Sequence, residues 1–159
     1  MPVFLKDWRC YRVSKKGGYA SRVNVRDVKN KKGYDETVVF LSTTKQNGKD
    51  ENGNASFDWD NAINIKLGEA DIGEILAVLS GRKDTVGQNG SLFHESPNGG
   101  NKVIAMSYSP NYKSFMMKLS AQDKDGNKIG PYGHGISLGE AEVLSEILRY
   151  AIRKMYNFV

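Results

Sequence analysis

The chain has 159 residues, 39% apolar, 10% aromatic and 26% charged, with a net charge of +5. That length is the usual size of one compact domain, and the apolar and aromatic shares exclude a disordered chain. Ten basic side chains (Lys6, Arg9, Arg12, Lys15, Lys16, Arg22, Arg26, Lys29, Lys31, Lys32) stand against Asp7 and Asp27 in residues 1–32, which makes this segment +8 and the other 127 residues −3. Charge so concentrated predicts a basic surface with an anionic partner: nucleic acid, an acidic protein or an anionic membrane.

In chain order, strands are expected at roughly 3–14, 19–29, 35–46, 56–66, 90–96, 101–109, 112–123 and 128–138. The second is the clearest: Tyr19, Ser21, Val23 and Val25 alternate with Ala20, Arg22, Asn24 and Arg26, which describes a half-buried strand with a basic outer face. Turns punctuate the series at Asn47-Gly48, Asn52-Gly53, Asn89-Gly90, Asn98-Gly99 and Asp125-Gly126. Between the fourth and fifth strands the spacing turns helical: Ile72, Ile75, Leu76 and Leu79 fall at i, i+3, i+4 and i+7 within Glu69–Ser80, and Gly81 ends the helix. A longer helix is predicted from Gly139 to about Asn157, with Leu144, Ile147, Leu148, Ala151, Ile152 and Met155 as its apolar stripe. Its acidic first turn and basic end suit the helix dipole.

The segment Ile65-Lys66-Leu67-Gly68-Glu69-Ala70-Asp71-Ile72 matches Ile136-Ser137-Leu138-Gly139-Glu140-Ala141-Glu142-Val143 at an offset of 71 residues. Each copy takes a strand into a helix. The expected organisation is therefore α+β, a single domain of two pseudo-repeats (about 1–81 and 82–159) in the order ββββα-ββββα.

Most catalytic chemistry is excluded. Two histidines, His94 and His134, have no metal-ligand spacing, and one cysteine, Cys10, permits neither an internal disulfide nor a multi-cysteine zinc site. Cys10 reads as a small buried thiol with no base assigned to it, and Gly130-Pro131-Tyr132-Gly133-His134-Gly135 lacks the Lys-Ser or Lys-Thr of a phosphate loop. No catalytic residue, metal or cofactor is expected. Apolar runs such as Ile75–Leu79 are far short of the ~20 residues of a membrane span. The opening Met-Pro-Val-Phe-Leu-Lys-Asp is not a signal or transit peptide, so an intracellular setting is the default.

Basic and aromatic side chains interleave on the predicted strands: Trp8, Arg9, Tyr11 and Arg12, then Lys15, Lys16, Tyr19, Arg22 and Arg26, and later Tyr108, Tyr112 and Lys113 at a hairpin tip. Cations neutralise phosphates and flat rings stack unpaired bases, so the pattern suits a single-strand binder. Half of these rings must instead fill the interior; Trp8 and Tyr11, of opposite parity, cannot share an outer face. Residue types alone leave a peptide- or carbohydrate-binding module equally open.

The sequence resembles the Whirly family of single-stranded DNA-binding proteins over nearly its whole length. At the family's Lys-Gly-Lys-Ala-Ala-Leu motif it has Lys16-Gly17-Gly18-Tyr19-Ala20-Ser21, matching at Lys16, Gly17 and Ala20. Phe57-Asp58-Trp59 resembles the family's Tyr-Asp-Trp, and Leu67-Gly68-Glu69-Ala70-Asp71-Ile72-Gly73 its Ser-Pro-Thr-Glu-Val-Gly helix start. Ser91-Leu92-Phe93-His94-Glu95-Ser96-Pro97 resembles Glu-Phe-Phe-His-Asp-Pro, Lys113-Ser114-Phe115-Met116-Met117 the Gly-Tyr-Phe strand, and Ala141-Glu142-Val143-Leu144 the Ala-Glu-Phe-Ala-Val helix, in the same order and spacing.

The resemblance implies two four-stranded antiparallel sheets packed steeply, each followed by a helix, in a homotetramer held through the helices. It implies non-catalytic, largely sequence-independent binding of single-stranded DNA in replication, recombination or repair. RNA binding by the same fold and a basic protein-interaction module are the alternatives. Phosphates are assigned to Lys16, Arg22, Arg26, Lys102 and Lys118, and bases to Trp8, Tyr19, Trp59, Phe93, Tyr108 and Tyr112. Without a leader, a prokaryotic or viral source is expected.

Overall fold

A computed structural model describes residues 7–157. Residues 3–6 of the first predicted strand, Lys6 among them, lie outside that range. The order is β1 (Trp8–Arg12), β2 (Tyr19–Lys29), β3 (Asp35–Lys49), β4 (Ala55–Phe57), β5 (Ile63–Leu67), α1 (Glu69–Leu79), β6 (Ser91–Glu95), β7 (Asn101–Ser109), β8 (Ser114–Gln122), β9 (Lys128–Ser137) and α2 (Leu138–Met155). The first sheet runs β1-β2-β3, with β4 and β5 sharing the free edge of β3; the second runs β6-β7-β8-β9, and every pairing is antiparallel.

Two predicted strands are corrected. β1 stops at Arg12 rather than 14, because Ser14 opens the turn: its carbonyl accepts from Gly17 N (3.2 Å), its hydroxyl from Lys16 N (3.2 Å), and its own amide goes to Gln46 Oε1 (3.2 Å). The strand expected over 56–66 is two strands. While β3 advances from Gln46 to Thr43, its partner advances from Phe57 to Ile63, and the surplus is taken up by a short 3-10 turn over Trp59–Asn61. Asp58 anchors that excursion: its carbonyl accepts from the Thr44 hydroxyl, and its carboxylate from the Asn61 amide (3.0 and 3.1 Å). The turn lifts Trp59 off the strand line.

Four hairpins share one construction. In Asn30–Tyr34, Asp50–Asn54, Ser96–Gly100 and Asp123–Asn127 the first and fifth residues pair, and the fourth, always glycine, returns its amide to the first carbonyl. In three of them the leading Asn or Asp also accepts the amides two and four residues on through its Oδ1. The fourth position is left-handed, with φ +82, +79, +87 and +85° at Gly33, Gly53, Gly99 and Gly126, where a Cβ is costly.

Alternation then fixes the faces. Val23 and Val25, Val39 and Leu41, and Ile63, Ile65 and Leu67 form the inner face of the first sheet; Ile104 and Met106, Phe115, Met117 and Leu119, and Ile136 form that of the second. Ile72, Ile75, Val78 and Leu79 of α1 and Ala141, Leu144, Leu148 and Ala151 of α2 complete one continuous cluster. Burial of each large aliphatic side chain stabilises the fold by ~1.5–3 kcal/mol.

Both helices start directly from a sheet strand. The Asp71 carboxylate takes the Gly68 amide (2.8 Å) at α1, and Ser137 and Glu140 cap α2 reciprocally (3.1 and 2.9 Å). The corresponding caps, Gly68 and Ser137, are 69 positions apart, as are the buried pairs Ile75 and Leu144, and Leu79 and Leu148. Sequence similarity between the halves thus runs two residues out of step with their structural correspondence. A two-residue shift preserves strand parity, so the duplicated pattern survives it.

Candidate functional site

The outer face of the first sheet follows from register. Arg9, Arg22, Ser42 and Asn64 form one cross-strand row, and Asn24, Phe40 and Lys66 the next toward the helix end of β5. Arg22 and Arg26 stand four places apart on β2, and each lies on an aromatic ring: the Arg22 guanidinium carbon is 4.6 Å from the Trp59 ring centroid, that of Arg26 4.8 Å from Phe40. The lifted 3-10 turn is what brings Trp59 over β2. Asp7, Arg22, Asn24, Arg26, Phe40, Ser42 and Asn64 line an open groove of about 400 Å3.

Several other cations have an acid. Arg12 pairs with Glu140, Lys29 with Asp35 (3.1 Å), Lys66 with Glu36 (3.5 Å), Lys83 with Glu74 (2.5 Å), Arg149 with Glu146 (3.2 Å) and Lys154 with Asp27 (2.6 Å). Arg22 and Arg26 have no hydrogen bond or salt bridge to any described residue. Each is held over a ring and lines the groove, with N–H donors that no described residue uses.

The remaining residues proposed from sequence fall into three places. Lys16 is exposed in the β1–β2 turn, at one end of the same sheet. Phe93, 61% exposed, and Lys118 lie on the outer face of the second sheet, and Tyr112, 83% exposed, stands at the β7–β8 tip. Gly133, directly across from Lys118, leaves room for that lysine's stem; a Cβ there would meet Lys118 Cγ at 2.5 Å.

Four residues are placed elsewhere than on an outer face. Trp8 is 6% exposed and pairs with Val23 inside the core, so its ring is not presented to solvent. Tyr19 shares the inner parity of Val23 and packs on Tyr132 of the second sheet, ring centroids 5.8 Å apart. Tyr108 likewise turns inward onto Phe115 at 5.3 Å. Lys102 has the parity of Ile104, and its Nζ donates to the Asn64 carbonyl (2.6 Å), bracing the groove's edge from the second sheet. Sequence reasoning missed Phe40, Ser42, Asn64 and Asp7. Alternation against Val39 and Leu41 would have turned Phe40 outward, and against Ile63 and Ile65 it would have turned Asn64 outward; what joins these residues to Ser42 and Asp7 is register.

A second polar cluster is buried where β1, β2, β3, β9 and α2 meet. His134, 5% exposed, donates through Nδ1 to the Gly135 carbonyl (2.9 Å), which can only accept, so its Nε2 accepts from the Ser21 hydroxyl (2.6 Å), itself bonded to Thr43 (2.7 Å). Cys10 Sγ lies 3.7 Å from the same Nδ1 and donates to Glu140 Oε2 (3.3 Å). Burial and then the Glu140 bond push the thiol up to about 12, and burial pushes His134 below its ordinary value. Arg12, ahead of the other causes, holds Glu140 at about 2. A thiol held that high stays protonated at neutral pH, and the cluster joins β1 to β9 and α2. No group of three His, Cys, Asp or Glu that could hold a metal occurs among the described residues, and no helix among them is long and apolar enough to cross a membrane.

No family model and no curated protein matches the chain. Solved structures match over nearly its full length. WHY3 from Arabidopsis thaliana has a TM-score of 0.73 at 16% identity, covering 99% of this chain and 92% of that one. The plant transcriptional regulator PBF-2 gives 0.71 at 18%, with 99% and 94% covered, and WHY1 from Arabidopsis thaliana 0.65 at 16%, with 98% and 88% covered. At such identities the likeness shows the fold, two antiparallel sheets each followed by a helix, which is the architecture the Whirly resemblance implied. These neighbours are plant proteins and lend no support to a prokaryotic or viral source.

Proposed function

We propose that this chain is a non-catalytic single-stranded DNA-binding protein, acting as a homotetramer, whose primary contact is the outer face of the first sheet. The observation that carries this reading is the pair of guanidiniums without carboxylate partners, Arg22 on Trp59 and Arg26 on Phe40, flanking one groove. A phosphate diester supplies the missing anion, and the planar guanidinium–ring stacks offer flat surfaces to unpaired bases. Lys16 extends the cationic track at one end of the sheet, while Phe93, Lys118 and Tyr112 form a second patch on the other sheet. Roles in replication, recombination or repair are consistent with such binding. The fold likeness to a plant transcriptional regulator supports the nucleic-acid class.

Filter binding across a salt series tests it. Log affinity for a single strand should fall linearly with log salt by about 0.7 per phosphate neutralised, and exceed duplex affinity throughout. Affinity indifferent to salt, or equal for duplex, overturns the proposal. Matched DNA and RNA oligonucleotides in competition decide the sugar preference.

A further inference from the structure

Hydrogen-bonding capacity along the groove floor is weighted toward acceptors. Asn24 Nδ2 donates to Asp7 Oδ1 (2.6 Å), an orientation fixed by chemistry because a carboxylate only accepts; Asn24 therefore keeps its carbonyl Oδ1 as an acceptor. Ser42 spends its only proton on Asn64 Oδ1 (2.5 Å), leaving lone pairs. The Asn64 amide nitrogen donates to the Ala62 carbonyl (3.2 Å). Asp7 itself retains accepting capacity on both oxygens, with Arg9 at 3.8 Å from Oδ2 its other charged neighbour. One N–H each of Asn24 and Asn64 stays uncommitted, so the floor between the two arginines carries more accepting than donating capacity, and the charged donors Arg22 and Arg26 stand at its flanks.

That division suits one nucleotide of a strand. Arg22 and Arg26 are four residues apart on β2, about 13 Å at ~3.3 Å per residue, a span of two nucleotide steps, so phosphates two steps apart can each meet a guanidinium while one base between them enters the groove. A volume of about 400 Å3 is at the small end of ligand sites and takes one base with its sugar. Among the bases, guanine alone offers two adjacent donors, N1–H and the N2 amino group, the geometry a carboxylate accepts with both oxygens. Thymine and uracil present two carbonyls and one donor, and would set oxygen against oxygen on this floor.

We propose that the groove between Arg22 and Arg26 is a base-reading subsite that selects guanine over thymine or uracil, with Asp7 and the Asn24 carbonyl as the acceptors. The subsite rests on the single-strand reading above and adds a preference at one position of an otherwise sequence-tolerant contact. Asp7 is then a specificity determinant, and its negative charge, out of place on a phosphate track, is explained by the donors it receives.

The test is fluorescence anisotropy with short oligo-dT strands carrying at the centre dT, dG or deoxyinosine, which keeps N1–H and lacks the amino group. The dG strand should bind about tenfold tighter than all-dT, a bidentate contact being worth roughly one to two decades. Deoxyinosine should lose most of that gain. In the D7N variant the dG to dT ratio should fall toward one, whatever its dT affinity becomes. Equal binding of dG and dT strands by the unaltered protein overturns the subsite and leaves single-strand binding standing. A dG preference that D7N does not change, or that deoxyinosine retains in full, also overturns it. Failure to bind any strand overturns both.

Discussion

At the residue scale, Arg22 and Arg26 are set apart from the other cations by what holds them. Ten basic residues crowd the first 32 positions, yet Arg12 and Lys29 are committed to Glu140 and Asp35, and Arg9 lies between Asp7 and Tyr11. Arg22 and Arg26 remain, and they differ from the turn lysines in being held on rings. Replacing both by alanine should lower the salt slope for single-strand binding by about 1.4, two phosphates at ~0.7 each, with the melting temperature little changed since neither belongs to the core. Trp59→Ala should cost ~1–3 kcal/mol of affinity; an unchanged dissociation constant would remove the ring from the site. Sequence alternation named Arg22 and Arg26 correctly as outward, because β2 is regular. The same alternation turned Tyr19 inward, against its assignment to bases, and it could not place Trp8 or Tyr108, since a ring's face depends on the register of its strand.

At the element scale, the buried seam between β1, β9 and α2 makes stability depend on pH. His134 has its pKa lowered by burial, so the unfolded chain takes up a proton at the ordinary value near 6.5 while the folded one resists. The contribution is complete above that value and is lost as pH falls through the depressed folded value. Glu140, held at about 2 by Arg12, keeps its contribution above the usual carboxylate range and loses it as pH drops from there toward 2. Thermal unfolding should therefore be flat from about pH 6.5 to the ordinary thiol range near about 8.5, decline in two stages below that window, and decline above it as the unfolded Cys10 ionises. E140Q should remove the lower stage and leave the upper; a single stage in the unaltered protein would contradict this account. Cys10, pushed up to about 12, should resist iodoacetamide at pH 8 in the native state and react once denaturant is added. The helices, with their 3.6-residue stripes, were legible in sequence to within two residues. The break between β4 and β5 was not, because it is dictated by Thr44 and Asp58 meeting across strands rather than by any residue that forbids a strand.

At the scale of the whole molecule, α2 presents two apolar stripes. Leu144, Leu148 and Ala151 are spent on the core, whereas Val143, Ile147 and Tyr150 recur at i, i+4 and i+7 on an adjoining face, with Val143 56% and Tyr150 37% exposed. One sheet needs only the first stripe, so the width of the apolar pattern seen in sequence is accounted for by the second only if something covers it. A row of this kind is self-complementary about a two-fold axis, and we propose a second copy of α2 as its cover; that contact closes at a dimer, and two such dimers join through the flanks of the same helices to make the tetramer. Native mass spectrometry should show fourfold mass for the unaltered chain and a shift to monomers for the double change Val143→Glu, Tyr150→Glu. Circular dichroism should hold, because neither side chain lies in the core cluster. A monomeric unaltered protein, or a double variant that stays tetrameric, would reject the helix-mediated assembly while leaving the groove on the first sheet, which a single chain completes, able to bind its strand.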